Sequence, residues 1–110
     1  MRIVVASQGL DVAPWLLHCE SFTSYRVEQG VIIDCQNMPN LSLPSAQLAT
    51  LLTDLGATVV LAGQVENSAK QALASAGIEV QEGATGTASG AARTYLANTL
   101  AGAEEELETV

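Results

Sequence analysis

The side chains with the richest chemistry are concentrated in one short stretch of the sequence. Residues 12–21 (VAPWLLHCES) contain the single Trp of the chain, its single His and one of its two Cys residues. Imidazole and thiolate groups both bind iron, zinc and copper, and an open iron position of a metal–sulfur cluster accepts either group. We therefore take the adjacent residues His18 and Cys19 as the candidate metal ligands.

A purely structural role for this pair remains open. Adjacent residues of a β-strand point to opposite faces, so His18 and Cys19 would share a metal only outside a regular strand. Cys35 would complete a site only if the fold brings it close to them. The alternative is an exposed imidazole beside an ordinary thiol, with both cysteines reduced because we expect a cytoplasmic protein.

One glycine-containing loop could present backbone N–H groups to a ligand. Residues 83–87 (GATGT) precede a predicted helix, where the free N–H groups of the first turn can bind an anion. No Lys follows this loop, so it does not match a P-loop, and it does not match the GxGxxG pattern either. The alternative is a plain connection in which Thr85 or Thr87 caps the helix.

A strand–turn–helix–strand unit positions these loops and organises the rest of the chain. Residues 57–62 (ATVVLA) are apolar without alternation, which predicts a strand that is covered on both faces. Apolar residues then recur at helical spacing over residues 69–76, and Gly77 occupies the position at which helices often end. This βαβ pattern predicts two parallel strands within a larger sheet.

The remaining elements complete an α/β domain. Residues 2–7 predict a buried first strand, residues 22–35 a β-hairpin and residues 37–44 an irregular connection. Ser45 is a good N-cap for the next helix, and the last helix runs to about Leu100. The predicted order is βββαβαβα, which gives a three-layer α/β/α fold with a five-stranded mixed sheet.

Composition limits the partners. With 110 residues, the chain is expected to be one domain over residues 1–100, followed by an acidic tail, residues 101–110, that we predict to be disordered or a frayed helix end. Four basic residues face twelve acidic ones, and the resulting net charge of -8 argues against nucleic acid and anionic membranes as partners. No targeting segment is visible, and no apolar run approaches the ~20 residues of a membrane span, so we expect a cytoplasmic protein.

At this point the sequence resembles a known family. Residues 1–7 (MRIVVAS), the strand at residues 22–25 and the pattern GATVVLAG…AKQALASAGIEV…GATG are similar to the dinitrogenase iron–molybdenum cofactor biosynthesis family, which includes NifX- and NafY-like proteins. The resemblance covers about residues 1–100 and is strongest over residues 56–100. It implies a ribonuclease-H-like arrangement of the sheet and a protein that stores or carries a metal–sulfur cofactor without catalysing a reaction.

The chain departs from the family pattern at two motifs. The usual His-Phe-Gly motif is replaced by Trp15, Leu16 and Leu17, which either plug the cofactor pocket or form an apolar surface for a partner or for self-association. The usual Gly-Gly-x-Gly stretch is replaced by residues 63–66 (GQVE). We expect these side chains to hinder close approach of a bulky anion, and Glu66 to add like charge beside it.

An enzymatic role is not predicted. A ribonuclease-H-like nuclease needs clustered carboxylates on its strands to hold two metal ions, and residues 2–7 and 57–62 contain none. We interpret Asp11, Glu20 and Asp34 as solvated surface charges.

The resemblance leads to two hypotheses. In the first, a non-enzymatic carrier binds the iron–molybdenum cofactor or another iron–sulfur cluster in a cleft formed by residues 8–19, 63–67 and 83–87, after the predicted strands. The protein side chains would be His18 and Cys19, and the loop backbones would hold the cluster around Gly63, Gln64, Gly83 and Gly86. In the second, the cofactor has been lost and the protein is an interaction or assembly module. The expected partners are a metal–sulfur cluster or a cluster-assembly protein.

Overall fold

A computed structural model describes the backbone of residues 1–108 and the side chains of residues 1–99. Within this range the chain forms six strands and three helices. Their bounds are β1 Arg2–Gln8, β2 Asp11–Val12, β3 Ser21–Glu28, β4 Val31–Pro39, α1 Ser45–Asp54, β5 Val59–Leu61, α2 Asn67–Ser75, β6 Glu79–Gln81 and α3 Ala88–Glu108. The sequence predicted that the last helix ends near Leu100 and that residues 101–110 form a tail, whereas the backbone of α3 continues to Glu108. The side chains of residues 100–110 lie outside the described residues.

The expectation of five strands was wrong by one element. The additional strand, β2, has two residues and pairs antiparallel with the end of β1, through Ser7 with Val12 and Gln8 with Asp11. A strand of two residues carries no periodicity, so the sequence indicated only a turn there. The element order is therefore ββββαβαβα. The ribonuclease-H-like arrangement stays a prediction from the resemblance.

The sheet is mixed, and its strand order places three loops at one edge. The order is β4-β3-β1-β5-β6, with β2 beside β1. Strand β1 is antiparallel to β3 and parallel to β5, and β5 is parallel to β6. Because β1, β5 and β6 run in the same direction, the loops that follow them leave the sheet at the same edge, which is where open α/β sheets bind ligands.

Helices cover both faces of the sheet. On one face, α1 and α2 pack through Leu48, Leu52 and Leu73 against a buried cluster that includes Val4 and Val60. On the other face, α3 packs through residues that include Ala92 and Leu96. Strands β1 and β5 contribute side chains to both clusters. This confirms that their continuous apolar sequences are strands buried on both faces.

Strand β4 is longer than expected and forms a protected edge. The sequence predicted a strand only to Cys35, but β4 continues to Pro39 and takes residues from the predicted irregular connection. Asp34 Oδ1 accepts the backbone N–H of Cys35 at 2.8 Å, Pro39 has no N–H, and the ladder with β3 is irregular at Arg26 and Val27. These features hinder pairing with a further strand.

The helix ends show one wrong and one confirmed prediction. Ser45 was predicted to be the N-cap of α1, but the N-cap is Pro44 and Ser45 is the first helical residue. The hydroxyl of Ser45 lies 2.9 Å from the hydroxyl of Ser68, near the start of α2. Gly77 follows α2 with φ of 78°, as a residue after a helix C-terminus often does. Among the described residues, no helix is both long and apolar enough to cross a membrane.

Candidate functional site: a cleft between three loops

The loops that follow β1, β5 and β6 enclose a cleft of about 440 Å³. The first loop contributes part of residues 9–20, the second part of residues 62–66, and the third part of residues 82–87. The lining residues are Asp11, Val12, Ala13, Pro14, Gly63, Gln64, Gly83, Ala84, Thr85 and Gly86. The sequence prediction of a cleft between these three stretches is therefore matched by the geometry of the loops.

Backbone hydrogen bonds join the three loops directly. Gln64 donates its N–H to the carbonyl of Pro14 at 2.7 Å, and Leu16 donates to the carbonyl of Gln64 at 3.0 Å, so the first two loops run side by side. Gly83 donates to the carbonyl of Gly63 at 2.8 Å, and this bond attaches the third loop to the second. Buried or half-buried loop backbone needs such partners, and here the loops supply them to each other.

Gly63 is at the point of closest contact between the loops. A Cβ atom on this residue would lie 2.8 Å from the carbonyl oxygen of Pro14 and 3.1 Å from that of Ala13. These are backbone atoms, so neither could move aside without displacing the whole loop. The residue is glycine because the first loop crosses directly over it. Packing between the two loops therefore requires a glycine here, whereas the sequence analysis had assigned the glycine to close approach of a ligand.

The third loop retains free backbone donors. The N–H groups of Gly83 and Ala84 are bonded to the second loop, whereas those of Thr85, Gly86 and Thr87 have no hydrogen-bond partner among the described residues. Gly83 and Gly86 both have φ of 80°, which turns the chain between these donors. Thr85 and Gly86 line the cleft and Thr87 does not, so an anion at this end of the cleft could bind to the two consecutive N–H groups of Thr85 and Gly86.

Thr87, and not Thr85, caps α3. Its Oγ1 accepts the N–H of Gly90 at 3.0 Å, and its carbonyl accepts the N–H of Ala91. Ala88 donates to the carbonyl of Leu10. Three backbone N–H groups at the start of α3 are thus hydrogen-bonded within the protein. The N–H groups that could bind an anion lie in the loop before the helix.

Residues 13–19, here called the 13–19 segment, are buried at every third position. Ala13, Leu16 and Cys19 are buried, while Trp15 and His18 are exposed. Neither helical nor strand periodicity describes this arrangement, which explains why the sequence showed no clear period. The segment holds its shape through hydrogen bonds to β1 and to the second loop, including Ala13 N–H to the Ala6 carbonyl at 2.7 Å.

The apolar replacement at residues 15–17 divides into a core part and a surface part. Leu16 is fully buried against the α1 and α2 face of the sheet, and Leu17 packs partly against the same cluster. Trp15 is 41% exposed and does not line the cleft. The interpretation of Trp15 as a plug is therefore wrong, and the expectation of an apolar surface fits its position.

Cys19 and His18 lie on different sides of the segment. Cys19 is buried in the core, and burial, with a smaller contribution from the nearby Glu66 carboxylate, raises the pKa of its thiol to about 11. The thiolate, which is the form that binds metals, is therefore scarce at neutral pH. The side chain of His18 is 82% exposed. Neither residue lines the cleft, so their role as cluster ligands stays a prediction.

Glu66 connects the first loop to α2 and does not point into the cleft. Its Oε1 accepts the N–H of Leu17 at 3.2 Å, and its Oε2 lies 3.7 Å from Nε2 of His18. Oε2 is buried and has no hydrogen-bond partner among the described residues, an arrangement that typically costs about 1–3 kcal/mol. The loop crossing turns the Glu66 side chain toward the 13–19 segment, and the expectation that Glu66 adds charge beside a bound cluster stays a prediction.

The chemistry of the cleft depends on its shape and its backbone. No Lys, Arg, His or Cys lines it, and the described residues contain no group of three or more His, Cys, Asp or Glu side chains that could hold a metal ion. Asp11, which the sequence suggested was only a surface charge, is exposed and lines the cleft. Its position follows from the pairing of β2, which no sequence signal indicated.

Comparisons with known proteins agree with this architecture. The family described as dinitrogenase iron-molybdenum cofactor matches residues 1–98. A crystal structure of a protein designated PH0822 superposes with a TM-score of 0.80 at 18% identity, covering 89% of this chain and 92% of that one. A solution structure from Methanococcus jannaschii, provisionally named a dinitrogenase, gives 0.75 at 9% identity, covering 90% and 89%. These two likenesses concern the fold alone.

A third structure is more similar in sequence. The apo form of the orange protein from Desulfovibrio gigas superposes with a TM-score of 0.67 at 29% identity, covering 92% of this chain and 88% of the orange protein. A search of curated proteins gave no match.

Proposed function

Because the chain belongs to the dinitrogenase iron–molybdenum cofactor family, we propose that it is a non-enzymatic carrier that holds a compact metal–sulfur cluster in the three-loop cleft. The observation that carries this proposal is the cleft itself. It lies at the ends of three parallel strands, has a volume of about 440 Å³ and is walled by loops that hydrogen bonds hold together.

Binding would rely on the backbone more than on side chains. The free N–H groups of Thr85 and Gly86 could donate to sulfide or carboxylate groups of a cluster, and Gly63, Gln64 and Gly83 would form the opposite walls. Few protein ligands mean weak ligation, which suits a protein that must release its cargo. The iron–molybdenum cofactor and smaller iron–sulfur clusters are both candidates for that cargo.

Two side chains remain candidates for direct ligation. His18 is exposed and could ligate without any rearrangement of the core. Cys19 would first have to lose its proton and leave the core, because it is buried and its pKa is raised. Within this proposal His18 is therefore the first ligand to test, and Cys19 the second.

The second hypothesis also has an observation in its favour. Trp15 is 41% exposed and Leu10, at the tip of the turn after β1, is 85% exposed, so two large apolar side chains stand near the cleft. Together with the absence of a basic residue in the cleft lining, this would suit a module that contacts another protein and carries no cofactor. Under both hypotheses we propose a cytoplasmic protein that binds neither nucleic acid nor membranes.

The test is anaerobic loading with a cluster, followed by iron analysis and an absorption spectrum. We expect stoichiometric iron and charge-transfer bands in the native protein. Thr85→Trp, which fills one wall of the cleft, should abolish loading, whereas Thr50→Trp on the exposed side of α1 should not. Equal loading of both variants would reject the cleft as the binding site. Native protein that cannot be loaded would reject the carrier and favour the interaction module.

A further inference from the structure

We propose that His18 and Glu66 together form a site for a single divalent transition-metal ion, outside the cleft. Nε2 of His18 and Oε2 of Glu66 lie 3.7 Å apart. Oε2 is buried and has no hydrogen-bond partner among the described residues. A buried carboxylate oxygen without a donor is an uncommon arrangement, and a bound cation would satisfy it.

The spacing of the two atoms suits chelation. Zinc binds histidine nitrogen and carboxylate oxygen at about 2.0–2.2 Å, so two ligands of a tetrahedral ion are about 3.4 Å apart. The observed separation exceeds this by a few tenths of an ångström. The imidazole can close the difference by side-chain rotation, because the His18 side chain is 82% exposed.

The carboxylate is held in place for this role. Its other oxygen, Oε1, accepts the N–H of Leu17 at 3.2 Å, which fixes the orientation of the group. Glu66 is also the N-cap of α2, where the helix dipole favours a negative charge. Lys70, on the first turn of α2, forms an ion pair with Glu82 instead, so it does not occupy the free oxygen of Glu66.

The ligand types indicate the class of ion. One imidazole and one carboxylate favour zinc, cobalt or iron(II) over magnesium and calcium, which prefer oxygen alone. Two protein ligands leave the other positions to water or to an external group. A metal here would join the 13–19 segment to the start of α2. It would thereby stiffen the outer wall of the cleft.

This site can be tested separately from the proposed function, in which His18 is also a candidate cluster ligand. Neither His18 nor Glu66 lines the cleft, and the ion would bind to the protein without any cluster. A failure of cluster loading would leave the metal site untouched, and a failure of metal binding would leave the cleft untouched.

The experiment is titration of the metal-free protein with zinc, followed by calorimetry and by proton NMR. The chain contains one His, so its imidazole signals need no assignment. We expect saturable binding of one zinc ion with a shift of those signals. His18→Gln and Glu66→Gln should each weaken binding by about tenfold or more. Glu66→Gln retains an oxygen for Leu17, so the loop should stay in place.

The matched control is Glu20→Gln, which removes an exposed carboxylate just after the 13–19 segment and should leave zinc affinity unchanged within about twofold. No saturable binding up to about 1 mM zinc would overturn the proposal. Binding that leaves the imidazole signals of the native protein unshifted would overturn it as well, and this readout does not depend on the folding of any variant.

Discussion

The two sides of the 13–19 segment differ in almost every physical property. On the inner side, Ala13, Leu16 and Cys19 are buried, and the backbone is bonded to β1 and to the second loop. On the outer side, Trp15 and His18 are exposed. The buried side chains and the backbone hydrogen bonds of the inner side fix the shape of the cleft wall. Most of the accessible chemistry of the segment therefore lies on the outer side.

The residues that shape the cleft and the residues that could bind a metal are separate in this protein. The cleft has a defined wall but no metal-binding side chain in its lining. The imidazole and the unsatisfied carboxylate oxygen stand outside it, beyond the segment. Three comparisons of paired residues test how far this separation holds.

The largest expected effect is on the inner side. Leu16→Ala removes a fully buried side chain and should lower the free energy of unfolding by about 2–5 kcal/mol, through lost transfer energy and the remaining cavity. Trp15→Ala, one residue away, should lower it less, by about 1–2 kcal/mol, because part of its surface stays in water and its removal leaves no enclosed cavity. Urea unfolding measures both. Equal losses would mean that the two sides are not distinct.

The next effect concerns the second loop, on which the segment rests. Gly63→Ala should destabilise the protein by about 1–3 kcal/mol, because its Cβ would meet the Pro14 carbonyl. Gly90→Ala is the control. Its Cβ would come within 2.7 Å of the Thr87 hydroxyl, which can rotate away by giving up its capping bond to the Gly90 N–H, and the higher helix propensity of Ala offsets that loss. For the control we expect a change within about 1 kcal/mol. Thermal unfolding of the two variants compares them, and a tolerant Gly63 would show that the first loop can move.

The smallest effect changes reactivity and leaves stability unaltered. Cys19 is buried and Cys35 is exposed. Since burial raises the pKa of Cys19 to about 11, about 0.1% of it is thiolate at pH 8, and its alkylation should accelerate about tenfold per pH unit toward pH 11. Iodoacetamide labelling followed by mass spectrometry should find Cys35 modified first. Simultaneous labelling of both thiols at pH 8 would indicate that the inner side opens readily.

Much of the framework was accessible from the sequence. The continuous apolar runs of β1 and β5 predicted strands buried on both faces, because such residues are stable only when helices cover both sides. The βαβ pattern then placed the loops after these strands at one edge of the sheet. The general location of the cleft followed from that direction of the strands alone.

Details that depend on contacts between distant residues were not accessible. Strand β2 exists because it pairs with β1, and β4 extends to Pro39 because β3 accompanies it. Neither β2 nor the last part of β4, residues 36–39, has a local pattern that distinguishes it from a turn or an irregular connection, so the sequence prediction missed one strand and shortened the other.

Local sequence indicates which residues can form the helices and strands of the three layers, because burial of apolar side chains follows composition and periodicity. The tertiary structure alone decided the direction of individual side chains in the loops. Glu66 turns to Leu17 and His18 because the first loop crosses over Gly63, and Trp15 faces outward because Leu16 fills the core beneath it. Such directions are set by close packing between segments far apart in the chain, which no local pattern encodes.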